Sequence, residues 1–167
     1  QAALISDVHV GSEAFMAEVG AVTDEYDIPL IVDEVQSGIG RTGEFWAADH
    51  YDIDPDIISA AKGLRVGATI GRSELFPDEK NRLGSTFGGG DLLASMMGTF
   101  TIEAITDHDL LANATDRGRQ ATERLSDDAG DHVVDVRGKG LMLAVEFDTP
   151  DRRDDVVAEA LARGLLT

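Results

Sequence analysis

Residues 30–35, "LIVDEV", place three aliphatic side chains between Pro29 and a glycine-rich stretch and then set two carboxylates side by side. A short apolar run bounded by turn formers predicts a buried strand, so Asp33 stands where the chain leaves a core. Residues 2–8 are strand-like in the same way. Between the two, "EAFMAEVGAVTDEY" carries Phe15, Val19 and Val22 at helical spacing. Together these predict a βαβ unit with parallel strands and a right-handed crossover. Residues 54–63, "DPDIISAAKG", read as a mostly apolar turn leading into a short strand over 67–72.

After the glycine-rich "GSTFGGG" of residues 84–90, the apolar "DLLASMMGTFTIEAI" predicts a buried helix capped by Asp91. A second helix follows from Asp109. "HVVDVRGKGLMLAVEF" then predicts two strands around "RGKG", and an amphipathic helix closes at Gly164. Parallel β/α first and a helix with a hairpin afterwards imply an α/β fold: a large domain over residues 1–106 and a smaller α+β domain over 107–167.

Composition narrows the partners. With 167 residues and 43% hydrophobic content the chain can bury a real core, and it holds no apolar run long enough to cross a bilayer. The formal net charge of −18 argues against nucleic acid and against an anionic membrane. There are 21 aspartates among the 32 acids, and only 3 lysines beside 11 arginines. A hydrated, lysine-poor surface of this kind suits a cytoplasm crowded with salt, so a halophilic source is the expectation. The absence of cysteine excludes disulfides and thiolate metal sites, and the four histidines have no ligand spacing. No metal is expected.

The carboxylates after residues 30–35 admit two readings. Acids and glycines there suit a solvated turn, yet the carboxyl ends of strands in open α/β sheets are also where ligands sit. Lys62 likewise suits the end of a helix or a reactive amine.

The order "IVDEVQSGIGRTG", "DPDIISAAKG", "GSTFGGG", supported by "FWAADHYDIDPDI" and "VRGKGLMLAVEF", resembles the class III, or omega-type, aminotransferases, near their 4-aminobutyrate, ornithine and acetylornithine branch. The resemblance implies part of the large domain of the fold type I pyridoxal-phosphate-dependent transferase fold, with a mostly parallel sheet and helices. It implies pyridoxal 5′-phosphate as cofactor and a small-molecule amino donor and keto acid acceptor as substrates.

In that family the residue matching Lys62 forms the Schiff base and the one matching Asp33 faces the ring nitrogen. Val35 matches the residue packed on the ring, and Gln36 the one bonded to its phenolic oxygen. Ser85 and Thr86 fall in the phosphate-binding loop, where the threonine reaches the neighbouring subunit's cofactor, so a cytoplasmic homodimer is implied. Where the family continues with Asn-Pro this chain has Gly90 and Asp91, and "GSEAFMAE" at 11–18, although similar to the family's main phosphate loop, lies in the wrong place and reads as a helix cap. Arg137 matches a family position and reads as structural. Complete members are far longer, so the chain resembles the middle-to-late part of one. An aminomutase or decarboxylase would share every motif, and a non-catalytic fragment is the remaining alternative.

Overall fold

The computed structural model describes residues 8–51, 53–79, 82 and 91–166. Gly11–Ala114 form one compact unit, and the described residues of Thr115–Thr167 form the other with those of Gln1–Val10.

The first unit opens with α1 (Glu13–Glu25), which starts as its sequence predicts: Ser12 caps it, its Oγ accepting from Phe15 N at 3.2 Å. The strands that follow are β1 (Ile31–Asp33), β2 (Ile57–Ala60) and β3 (Ala68–Gly71). They form a sheet in the order β1-β2-β3, with β1 and β2 parallel and β3 antiparallel to β2. The strand expected over residues 2–8 lies outside the described residues apart from Val8.

The reading of residues 54–63 as a turn is corrected, since four of them are β2. Two bonds fix its start: Leu30 N donates to Asp56 Oδ2 at 2.8 Å and Asp56 N to Leu30 O at 2.9 Å. A four-residue strand has too few positions to show a period, and here the pairing with β1 rather than the local pattern decides its conformation.

Beneath the carboxyl ends of β1 and β2 lies a small core of Ile39, Ala60, Leu64 and Ile105, flanked by Phe45, Trp46, Val66 and Leu111. Phe45 and Trp46 meet edge to face at 5.0 Å. Ile105 comes from α2 (Leu92–Asp107), whose cap is Asp91 as expected, accepting from Ala94 N at 3.0 Å. Gly98 lets this helix approach: a Cβ there would stand 3.0 Å from the Leu64 carbonyl oxygen. The prediction that α2 is buried is corrected, because Leu92, Leu93, Met96, Met97 and Phe100 are all exposed, and Gly98 and Ile105 are its buried residues. Apolar spacing marks surface that favours cover; it does not say what supplies the cover.

α3 (Leu110–Asp127) begins in the first unit and continues into the second, where β4 (Val133–Lys139) and β5 (Met142–Phe147) form an antiparallel hairpin. Its turn is Gly140-Leu141 rather than "RGKG", since Lys139 pairs with Met142. Gly118 of α3 sits against the Gly140 carbonyl, leaving no room for a side chain. Arg137 is structural, as read: its Nε donates to Val8 O at 2.6 Å, and Nη1 meets Asp135 at 3.0 Å and Glu146. Thr149 caps α4 (Pro150–Ala162), and Gly164 takes the left-handed conformation just beyond it.

Candidate active site

Parallel pairing brings the two chemically suggestive positions to the same end of the sheet. Asp33 is the last residue of β1 and pairs with Ser59 of β2; three residues further on, Lys62 opens a 3-10 turn over Lys62–Leu64. Both therefore stand at the carboxyl ends of adjacent parallel strands, where such sheets bind ligands.

Asp33 is exposed, and two donors converge on one of its oxygens. The Val35 N–H reaches Oδ1 at 3.0 Å and the Ser59 hydroxyl reaches the same atom at 2.9 Å. These bonds hold the carboxyl below the ordinary aspartate value of 3.8, the Val35 bond contributing most and Ser59 next; slight burial opposes them, and the positive charge of Lys62 adds to them. Among the described residues no donor engages Oδ2. The group is thus an anion with one fixed oxygen and one available oxygen.

Its neighbour Glu34 points the other way, as alternation along an extended backbone requires. It is 1% exposed, with Oε1 accepting from Ala48 N at 2.8 Å and Oε2 from the Ser37 hydroxyl at 2.5 Å. Its carbonyl accepts from Gly38 N at 3.0 Å, where a Cβ on Gly38 would lie 2.9 Å from that oxygen and from the Trp46 ring. Glu34 therefore folds the loop over residues 34–50 onto the sheet. The loop carries Val35, half-buried, and Gln36, exposed, next to Asp33.

Lys62 is exposed rather than partly desolvated, which corrects the environment expected from its apolar neighbours. Its backbone is left-handed at φ 43°, as is that of Ile39 at φ 57°. The two strained positions adjoin, since a Cβ on Gly63 would stand 3.3 Å from Ile39 Cβ. A β-branched residue at positive φ is rare and persists only where packing imposes it; here the core around Ile39 does so. Ser85 and Thr86 lie outside the described residues. Ser59 is the residue that sequence reasoning missed. Among the described residues no group of histidines and carboxylates is placed to hold a metal ion.

An available carboxylate oxygen, an exposed primary amine and a half-buried apolar side chain beside them form a donor set that fits pyridoxal 5′-phosphate: an anion for the pyridine nitrogen, an amine for the aldehyde and a surface for the ring.

The family model for class III aminotransferases matches residues 7–167. The chain is 43% identical over 150 residues to an acetylornithine aminotransferase of Methanopyrus kandleri, a match covering 87% of this chain and 38% of the relative. It is 39% identical over 167 residues to that of Bacillus subtilis, covering 95% of this chain and 42% of the relative. A leucine/methionine racemase of Thermococcus litoralis is also 39% identical, over 172 residues, with 94% of this chain and 39% of that protein covered. The chain thus spans about two fifths of the length of these relatives.

Among solved structures it is similar to the ornithine aminotransferase from Toxoplasma gondii, with 30% identity, TM-score 0.88, and 96% of this chain and 40% of that chain covered; that structure is described as showing partial occupancy of PLP at its active site. It is also similar to the lysine aminotransferase from M. tuberculosis, with 33% identity, TM-score 0.81, and 92% of this chain and 37% of that chain covered.

Proposed function

The chain belongs to the class III aminotransferases, and from that premise we propose that it is the cofactor-binding middle portion of an enzyme that uses pyridoxal 5′-phosphate to move an amino group from an omega-amino or amino acid to a keto acid. The observation that carries this reading is the parallel pairing of β1 with β2, which sets Asp33 and Lys62 at one end of the sheet.

When bound, the cofactor supplies an electron sink for the substrate carbon. Asp33, held anionic by the Val35 and Ser59 donors, offers Oδ2 to a cationic ring nitrogen and keeps the proton there. Lys62 Nζ would be the amine that holds the cofactor's aldehyde and, once released by the incoming substrate amine, the base that would carry a proton at the substrate carbon. Val35 would pack on the ring, Gln36 would hold the phenolic oxygen, and Ser85 and Thr86 would belong to the phosphate-binding loop, Thr86 reaching the phosphate of the neighbouring subunit's cofactor.

That arrangement makes the enzyme a homodimer, and the exposed apolar side chains of α2 are suited to burial in a larger assembly. On this reading residues 1–106 are part of the cofactor-binding large domain and 107–167 part of the small domain. The acidic, lysine-poor composition supports a halophilic, cytoplasmic enzyme. The racemase relative favours a second reading, in which the same proton transfer at Lys62 occurs without net amino transfer.

Borohydride reduction of the full-length enzyme with pyridoxal 5′-phosphate, followed by peptide mapping, tests the assignment. The label is expected on Lys62. A label on Lys80 or Lys139 instead would overturn it, and no label on any lysine of this segment would favour the non-catalytic fragment.

A further inference from the structure

We infer that Ser59 is a positioning residue for Asp33: its hydroxyl clamps one carboxylate oxygen so that the other is presented to the cofactor's ring nitrogen. This rests on the proposed role of Asp33 and assigns Ser59 a part in it.

The geometry is specific to the strand pairing. Asp33 and Ser59 are register partners 26 residues apart in the chain, and the Glu34 N–H bonds to the Ser59 carbonyl at 2.9 Å, locking the two strand ends together beside the carboxylate. The Ser59 hydroxyl therefore approaches Asp33 from β2 while the Val35 N–H approaches from the loop after β1, and both bind Oδ1. Two donors from two directions restrict rotation of the carboxylate and single out Oδ2.

They also stabilise the anion, and a less basic carboxylate leaves a shared proton on its partner. Lys62, from the turn after β2, is the charged group that acts on Asp33 in the same sense, while Glu34 on the adjoining residue turns into the core. An alanine at position 59 would preserve the strand and remove one clamp. A threonine would keep the hydroxyl.

The test is the affinity of the full-length apoenzyme for pyridoxal 5′-phosphate as a function of pH, measured by fluorescence quenching beside the melting temperature. Ser59→Ala is expected to bind about tenfold more weakly at neutral pH, as loss of one charge-assisted bond implies. Its binding should also fail at a higher pH on the acid side, because Asp33 then protonates more readily. Ser59→Thr should restore both. If the alanine variant does not fold, Ser59→Cys, which keeps the shape with a weaker donor, is read by the same two criteria.

A merely structural serine would lower the melting temperature without moving the acid limb, and that result would overturn the inference. So would equal losses in the alanine and threonine variants. An unsubstituted enzyme that binds no cofactor would overturn the functional reading and this inference with it, whereas a cofactor-binding enzyme indifferent to Ser59→Ala would overturn this inference alone.

Discussion

At the end of β1 two adjacent carboxylates meet opposite environments. Asp33 is exposed and takes two hydrogen bonds on one oxygen, whereas Glu34 is 1% exposed and has both oxygens engaged by the loop it supports. The two side chains differ by one methylene and end in the same carboxyl group. Alternation along the strand is what separates them: one position faces the place where a ligand can sit, the other faces the core. A buried acid that has lost its water must be fully bonded, and so belongs to stability; an exposed acid with an open oxygen is free for chemistry.

The largest effect expected from breaking this contrast comes at Asp33. In the full-length enzyme Asp33→Asn should bind cofactor more weakly than Ser59→Ala does and, once loaded at saturating cofactor, lose turnover by about a thousandfold, close to 4 kcal/mol in the barrier, because an amide cannot keep the ring nitrogen protonated. Its melting temperature should barely move, since the side chain is exposed. Steady-state kinetics beside thermal unfolding would show both. A comparable loss of stability would mean that Asp33 belongs with Glu34.

Glu34 should behave in the reverse manner. Glu34→Ala strands the Ala48 N–H and the Ser37 hydroxyl in a buried site and leaves a void, which should cost about 3 kcal/mol of unfolding free energy in denaturant titration. Glu34→Gln can still accept from Ala48 and should cost about 1 kcal/mol. The alternation of the strand alone would suggest that substitutions at Glu34 are mild. They are mild for chemistry, but burial makes them costly for folding.

How far the sequence could be read follows from which interactions are local. The opposite orientations of Asp33 and Glu34 come from a period of two, and the caps at Ser12 and Asp91 act within their own helix turns, so all were legible. Ser59 was not. In "IISAAK" it reads as a small residue near a lysine, and its partner is 26 positions away, brought to it by a parallel register that no local pattern records. The burial of Glu34 escaped for the same reason, since its donors include Ala48, 14 residues on. The hairpin turn was displaced because the two glycines of "RGKGLM", Gly138 and Gly140, compete, and cross-strand pairing selects Gly140. The exposure of α2 was not legible because apolar spacing marks surface that favours cover without recording what supplies it.

The smallest expected effect is the pH dependence of stability that Asp33 contributes, and it sharpens the contrast from the exposed side. Folding lowers the Asp33 carboxyl below 3.8 through the Val35 and Ser59 bonds, so the folded state holds its proton less tightly than the unfolded chain does. That contribution is fully present above the unfolded value and disappears as pH falls through the lower, folded one; the window therefore opens near pH 4 and extends downward. Solvent around the exposed group keeps the effect small. Denaturant unfolding of the full-length protein between pH 6 and pH 3 should show a slightly shallower acid loss for Asp33→Asn than for the unsubstituted chain, with the curves parallel above pH 5. Ser59→Ala should give an intermediate slope, since it removes the second of the two bonds and leaves the first. An Asp33→Asn curve that diverged instead above pH 5 would place the carboxyl's folded value above its unfolded one, and the hydrogen bonds on Oδ1 could not then be what governs it.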